Sequence, residues 1–470
     1  MKTVDVFISK IEGLSTKKVF AFAFLLGVLL FSIPFLSRSL HHEPLFSGEE
    51  AFYDINLIAA LQQEFTVTDT ALGESRPWLV TPYHLLLSQA ARVFGFLPSF
   101  VLFHLLLLGG SLYFLLLCFD FFKSTKTQQL LFLFIFLLSP LTFYLFAMPN
   151  ASILIFFLCV LAAWIRFTQR YQALLCIIFV LLPFFGIWAF LLGCALLLLR
   201  KPTLREALCL FVPAILYFFW ISATFGFPAL SLRIPFSSLF ADLGNVQGYG
   251  VFTLLLAAMG IAFGSEFKKQ HRLFFFMALF TLFLFVKPLL VYQNLFICIF
   301  ASYTFLRLAQ RAWSLPSLKE ISLLLLFCGI LFTGLSNFNH VSLDLPSSEV
   351  FQGMHWLQEH GIGEGKVLTE PAYGFWVSGV TGSKLFLDTQ TVFSPFSEER
   401  MKDLATIVQS RDLSLTTRLL DQYGVRYLLL LSSSEKDLSG LLFILGNREM
   451  FKKIYENNAV TIWEYSREQP

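Results

Sequence analysis

The chain has 470 residues, of which 56% are hydrophobic and 14% charged, with 58 Phe and a formal net charge of +3; its mean hydropathy is +0.70. A soluble protein carries about 25% charged residues, and a chain this apolar cannot cover its surface in water, so a bilayer must be the solvent for most of it. The near-neutral balance offers no basic footprint for nucleic acid, and the seven cysteines, all in or beside apolar runs, do not form the pattern of a disulfide framework or zinc site.

Spanning helices need roughly 17–25 apolar residues. Runs of this kind are read at 19–36, 98–119, 129–147, 151–165, 172–183, 185–199, 207–223, 250–264, 273–286, 289–306 and 320–335, about eleven in all. No small-residue cleavage site follows the first run, so it is read as a retained span and not a signal peptide. The runs 172–183 and 185–199 are short and separated by Pro183 and Gly186; read as one kinked helix they would invert everything downstream. The basic residues decide between the two readings. With the N-terminus cytoplasmic, the inner loops hold seventeen Lys and Arg, and the outer ones hold five: Arg38, Arg76, Arg92, Arg233 and Lys287. That is the asymmetry of the positive-inside rule. Merging the pair would place Lys268, Lys269 and Arg272 outside. The expectation is a multi-pass cell-membrane protein with about eleven helices in residues 1–335, an N-terminus inside and a C-terminal domain outside.

Two outer segments stand out. Residues 37–97 are long and acidic, with helical periodicity at 49–64 and 83–94, which predicts short helices along the membrane surface. Residues 224–249 are rich in Gly, Pro and Ser and predict a mobile loop. After 335 the composition changes. "EVFQGMHWLQEHG" predicts an amphipathic helix ending at a glycine cap. "KVLTE", "KLFLD" and "VRYLLLLSS" predict strands, and "MFKKIYENNAVTIWEYS" a hairpin turning at Asn457–Asn458. Residues 336–470 are therefore read as a soluble α/β domain.

Within the first outer loop, Glu49, Glu50 and Asp54 fall within six positions, beside Tyr53. On a helix Glu50 and Asp54 share a face. Such a cluster is either a solvated acidic loop or a set of catalytic carboxylates at a lipid–water boundary, where one could act as general base or ligate a divalent cation.

"FSGEEAFYDINLI" resembles the first outer loop of membrane glycosyltransferases with the GT-C fold. The similarity is closest to archaeal relatives of the oligosaccharyltransferase catalytic subunit, with their G-x-D-x-Y-Y-H-x-R pattern. On that pattern Glu50 takes the place of the catalytic Asp, Phe52 and Tyr53 the aromatic pair, Asp54 the His and Asn56 the Arg. "TPYHLLLSQAARVFG" resembles the segment before the family's second span, and "LSPLTFYLFAMPNASILIFFL" the turn from its third to its fourth. "KVLTEPAYGFWVSGVTGSKLFLDTQ" is similar to the segment around the W-W-D-Y-G motif, with Tyr373, Gly374 and then Trp376 present and Glu370, Pro371 and Ala372 in place of W-W-D. The residues that read a Ser or Thr acceptor site in the family are therefore not carried over.

The resemblance implies transfer of a sugar from a polyprenyl- or dolichyl-phosphate donor to a lipid, glycan or protein acceptor outside the membrane, with inversion. Glu50 is the expected general base, helped by Glu49 or Asp54. The family's D-x-D is absent at the third-to-fourth turn, where "AMPNAS" offers Asn150. Glu50 alone would then face a Mg²⁺ or Mn²⁺ ion, a poor cage, so a metal-free polyprenyl-phosphate donor is the expectation. A lipid phosphate in a low-dielectric site needs cations or donors, and Arg76, His84, Arg233 and Lys287 are the candidates. Tyr53, Asn150, Tyr373 and Trp376 are candidate acceptor or tail contacts. Two rivals stand beside this reading. One is a non-catalytic relative that binds lipid-linked glycan or a partner subunit. The other is a transporter, which the near-absence of ionisable residues inside the spans disfavours.

Overall fold

The computed structural model describes residues 11–63, 68–69, 71–73, 76–226, 239–243, 248–262, 289–360, 365–390, 396–432 and 438–466. In chain order its elements are α1 (Thr16–Leu40), α2 (Glu49–Gln63), β1 (Thr68–Asp69), β2 (Arg76–Pro77), α3 (Pro82–Phe94), α4 (Phe96–Phe121), α5 (Lys126–Leu138), α6 (Pro140–Ala147), α7 (Ser152–Thr168), α8 (Gln172–Leu181), α9 (Ile187–Leu198), α10 (Leu204–Phe225), α11 (Val251–Ala262), α12 (Leu290–Gln310) and α13 (Pro316–Leu343). They continue with α14 (Ser348–Glu359), β3 (Lys366–Leu368), α15 (Gly374–Thr381), β4 (Lys384–Leu385), α16 (Ser397–Gln409), α17 (Leu413–Tyr423), β5 (Val425–Leu431), α18 (Ser439–Leu445), β6 (Phe451–Glu456) and β7 (Val460–Tyr465). They form two units. One holds Met1–Leu36, Thr81–Trp220 and Ser231–Ser342; the other holds Ser37–Val80, Ile221–Leu230 and Leu343–Pro470, each through its described residues.

The first unit is helical and apolar. Five helices, α1, α4, α10, α12 and α13, are long and apolar enough to cross a membrane, and α5 with α6 makes a sixth if the bent pair is one span. The shorter apolar helices are α7, α8 with its following turn, α9 and α11. The expected span 273–286 lies outside the described residues, as do Arg233 and Lys287 and most of 224–249. The expected pair 172–183 and 185–199 is two helices. A 3₁₀ turn at Leu182–Phe185 and Gly186, with φ 105°, separate them, a backbone that favours glycine.

The predicted span 129–147 bends by 73° between α5 and α6. Pro140 starts α6 at a position where its missing N–H costs nothing. Asn294 of α12 pins the bend: Ser139 Oγ donates to its Oδ1 at 3.0 Å and its Nδ2 donates to Thr142 Oγ1 at 2.9 Å. Buried polar groups in an apolar bundle are tolerated when paired in this way. His104 similarly joins three helices. Its Nδ1 lies 2.8 Å from the Phe146 carbonyl, so that nitrogen carries the proton, and Nε2 accepts from the Tyr83 hydroxyl at 3.0 Å. Arg166, at the end of α7, is buried against Glu206 at 2.8 Å, and its remaining donors reach the carbonyls of Leu196, Leu197 and Arg200 at the end of α9.

The second unit is α/β. Its five-stranded sheet runs β4-β3-β5-β7-β6. β3 is parallel to β4 and β5, while β7 is antiparallel to β5 and β6. The central strand β5, "VRYLLLL", is buried at every position but Arg426, the continuous apolar run expected of a strand covered on both faces. Leu420, Leu428, Leu441 and Ile407 form the centre of the core. The hairpin β6–β7 turns at Asn457, whose N–H bonds Val460 O at 3.0 Å. α14 ends at Glu359 with His360 as its cap, and Gly361, the expected cap, lies outside the described residues. α13 runs on to Leu343, beyond the boundary read at 335.

Candidate functional site

The three acids lie on α2, in the second unit. Gly48, with φ 78°, turns the chain into the helix and donates its N–H to Leu345 O at 3.0 Å. Arg38 fixes the same region. Buried to 1% exposure, it donates to Pro44 O at 2.5 Å, Asp344 O at 2.6 Å and Pro346 O at 2.8 Å. Glu49 and Glu50 occupy the first turn of α2 and are half-buried, where the helix N-terminus favours negative charge. Glu50, Asp54, Leu57 and Leu61 follow one another at spacings of four, three and four, which is one helix face. Burial deepens along it: Asp54 is 8% exposed and Leu57 and Leu61 are 0%. The acids thus head a stripe that runs straight into the buried apolar core.

The neighbouring face of α2 meets the tail. Tyr53 packs 5.1 Å from the Phe375 ring and 5.5 Å from Trp78, and its hydroxyl accepts the Leu79 N–H at 3.2 Å. Burial, above all, holds the Tyr53 phenol well above its usual pKa, so it is a neutral wall and not a base. Phe52 lies 5.9 Å from Phe351 and 6.3 Å from Trp376, and Tyr373 stacks on Trp376 at 4.8 Å. Asn56 donates to the Phe375 carbonyl at 2.8 Å. α15 comes this close because of Gly379, where a Cβ would stand 2.1 Å from Asn56 Oδ1. Gly374 serves the same purpose on the other side of α15, since a Cβ there would stand 2.7 Å from the Asp388 Cβ. The structure therefore brings together Glu49, Glu50, Tyr53, Asp54, Tyr373 and Trp376 in one unit.

Arg76 requires a correction. Expected to hold a lipid phosphate, it is 4% exposed and paired with two carboxylates. Asp69 Oδ2 lies 2.8 Å from Nε and 2.6 Å from Nη2; Asp388 takes Nη1 at 2.8 Å and Nη2 at 2.5 Å; Gln390 O takes Nη1 at 2.8 Å. Four hydrogen bonds and two carboxylates already satisfy a guanidinium this deeply buried, so it is poorly placed to meet a phosphate. Burial works against the charge, but Asp388 and Asp69 outweigh it and hold the Arg76 pKa above its ordinary value. Asn150 is also placed differently from expectation. It lies in the membrane unit, its amide donating to Tyr144 O and Met148 O at 3.2 Å and accepting from Ser152 N–H at 2.9 Å, so it closes the turn into α7. His84 sits in the membrane unit at the start of α3, where Nδ1 accepts the Thr81 N–H at 3.1 Å.

Asp69 and Asp388 were not singled out from sequence, and Asn56 was read only as the residue in place of the pattern's Arg. The signal for Asp388 was its position: a carboxylate ending the apolar strand segment "KLFLD" is buried and demands a cation. Among the described residues, no three His, Cys, Asp or Glu side chains converge to hold a metal ion. The three acids of α2 do not make a cage for Mg²⁺ or Mn²⁺.

No protein-family model and no curated protein matches the sequence. Solved structures do. The apo crystal structure of the Archaeoglobus fulgidus oligosaccharyltransferase matches with a TM-score of 0.65, at 10% identity, over 97% of this chain and 75% of that one. The mycobacterial arabinofuranosyltransferase AftD matches at 0.59, with 15% identity, over 97% of this chain and 42% of its own. ArnT from Cupriavidus metallidurans, bound to undecaprenyl phosphate, matches at 0.55, with 10% identity, over 94% and 98%. The chain therefore has the GT-C fold, built as a multi-pass helical membrane unit and an α/β unit.

Proposed function

We propose that this protein is a membrane glycosyltransferase that moves a sugar from a polyprenyl- or dolichyl-phosphate carrier to a lipid, glycan or protein acceptor on the extracytoplasmic face. The observation that carries the reading is the acidic face of α2 in a chain of this fold, with Glu50 in the first turn and Asp54 one turn deeper. Support for the carrier comes from the neighbours. ArnT was solved with undecaprenyl phosphate, and the archaeal oligosaccharyltransferase with dolichol-phosphate and an inhibitory peptide.

In this reading Glu50 takes the proton of the acceptor hydroxyl or amide as the acceptor attacks the anomeric carbon. The bond from that carbon to the phosphate oxygen breaks, the electron pair leaves with the polyprenyl phosphate, and the configuration inverts. Glu49 or Asp54 holds Glu50 in place. Tyr53, Tyr373 and Trp376 form the aromatic wall that seats the acceptor. His84, Arg233 and Lys287 remain the candidates for the phosphate, and Arg76 does not. The non-catalytic alternative draws its support from Glu370, Pro371 and Ala372, which offer no W-W-D side chains.

A sugar-transfer assay with polyprenyl-phosphate donors separates the two. Glu50→Gln is expected to lower turnover by roughly 10²–10⁴-fold, the usual worth of a positioned general base. The amide also removes a favourable first-turn charge of about 0.3–1 kcal/mol, so the melting temperature is read alongside. Equal turnover removes Glu50 from the mechanism, and no turnover by the wild type with any donor leaves the non-catalytic reading.

A further inference from the structure

The membrane unit contains a cavity of about 370 Å³ that the proposed reaction does not use, bounded by α4, α5, α7, α9 and α12. This volume is within the range of sites that hold small organic ligands, roughly 300–1,000 Å³. Its inner wall is apolar, with Phe156, Leu192 and Leu295. Tyr292 also stands there, 6% exposed. Between Tyr292 and Tyr303, both on the wall, α12 rises about 16 Å at 1.5 Å per residue, so the cavity is a deep slot along the helices.

Its charged residue, with a serine and a glutamine, lies at one end. Lys123, Ser124 and Gln128 come from the turn between α4 and α5. Lys123 is exposed, held at φ 56°, and its ammonium makes no hydrogen bond or ion pair among the described residues, whereas Lys126 is taken by Asp120 at 2.6 Å. Exposed Phe121 and Phe122 cluster with Phe167 beside it, at 5.5 and 4.9 Å, as aromatic side chains do at headgroup level. Exposed Arg170, Arg200 and Lys201 lie at the same ends of α7 and α9. An apolar slot with a cationic, aromatic mouth is complementary to an amphiphile with one aliphatic chain inside and an anionic headgroup outside.

We propose that this cavity binds one acyl chain of an anionic phospholipid, with the headgroup phosphate at Lys123. The many basic residues at this end match a leaflet rich in anionic phospholipid, which favours that source over a polyprenyl phosphate. The lipid wedges α4, α7 and α12 apart and takes no part in sugar transfer.

The test uses the full-length protein in mild detergent. Native mass spectrometry reads retained lipid, and melting shifts read binding of added phosphatidylglycerol, phosphatidylcholine and undecaprenyl phosphate. The wild type is expected to retain one phosphatidylglycerol per chain and to be stabilised by it more than by the other two. Ala163→Trp, which fills the cavity, is expected to lose the retained lipid. Lys123→Gln is expected to weaken phosphatidylglycerol binding about five-fold, the worth of one basic residue at an anionic surface. It lies on an exposed turn, so it carries the test if Ala163→Trp does not fold. Retention by a folded Ala163→Trp, unchanged binding by Lys123→Gln, or equal or tighter binding of either other lipid overturns the proposal. None of these readouts involves sugar transfer, so the outcome is independent of the proposed enzymatic function.

Discussion

Asp69, Asp388 and the Gln390 carbonyl surround the Arg76 guanidinium with four hydrogen bonds and two ion pairs, and a charge buried this deeply becomes costly once a partner is removed. Asp388→Ala is expected to destabilise the second unit by about 3–5 kcal/mol, read by chemical unfolding. Arg76→Lys is expected to do nearly the same, because an ammonium cannot serve a two-carboxylate fork. In a double-mutant cycle the losses from Arg76→Ala and Asp388→Ala should fall well short of additive, as for residues of one network. A surface phosphate-binding Arg76 would instead give an unchanged melt. Asp412 tests a second single residue. It caps α17, its Oδ1 accepting from Ser414 Oγ at 2.7 Å and from the N–H groups of Ser414 and Leu415 at 2.9 and 3.2 Å. The Ser414 hydroxyl first, then those N–H groups, hold its pKa below 3.8. A lowered folded pKa gives stability that is present above the unfolded value and is lost as pH falls through the folded one. The melting-temperature gap between wild type and Asp412→Ala should therefore be constant near neutral pH and narrow below 3.8. The face shared by Glu50 and Asp54 was legible from spacing alone, whereas the role of Arg76 was not, because Asp388 lies 312 positions away.

At the scale of elements, the contact between α2 and α15 depends on a missing side chain. Asn56 is held by the Phe375 carbonyl, and a Cβ on residue 379 would occupy its place. Gly379→Ala is expected to cost about 1–3 kcal/mol by overpacking, and Asn56→Ala should recover part of it by removing the obstruction. A loss in Gly379→Ala that Asn56→Ala leaves untouched would trace the effect to the backbone instead. Helices and strands that rest on local pattern were readable: the hairpin at Asn457, the α8–α9 break at Pro183 and Gly186, the buried run of β5. The 73° bend between α5 and α6 was not. Hydropathy stays high through Ser139 and Pro140, and the Asn294 side chain that pins the turn comes from a helix 155 positions later.

At the scale of the whole molecule, the division into units departs from a cut at one point in the chain. Segment Ser37–Val80 belongs with Leu343–Pro470, although composition assigned it to the membrane half. Composition records which solvent a segment prefers; it does not record which distant segment completes its core. The distribution of basic residues predicts that cysteines placed at exposed Lys201 and Arg448, in a cysteine-free background, react with an impermeant thiol reagent from opposite faces of the membrane. Labelling of both from one face would refute the expected odd number of crossings between them. The shared unit also sets a timetable. A ribosome adding about 5–20 residues per second makes Asp388 roughly 15–60 s after Arg76, given their separation of 312 positions. For that interval the newborn loop holds a cationic fork without its main counter-charge, so the loop can complete its fold only after residue 388 has been made.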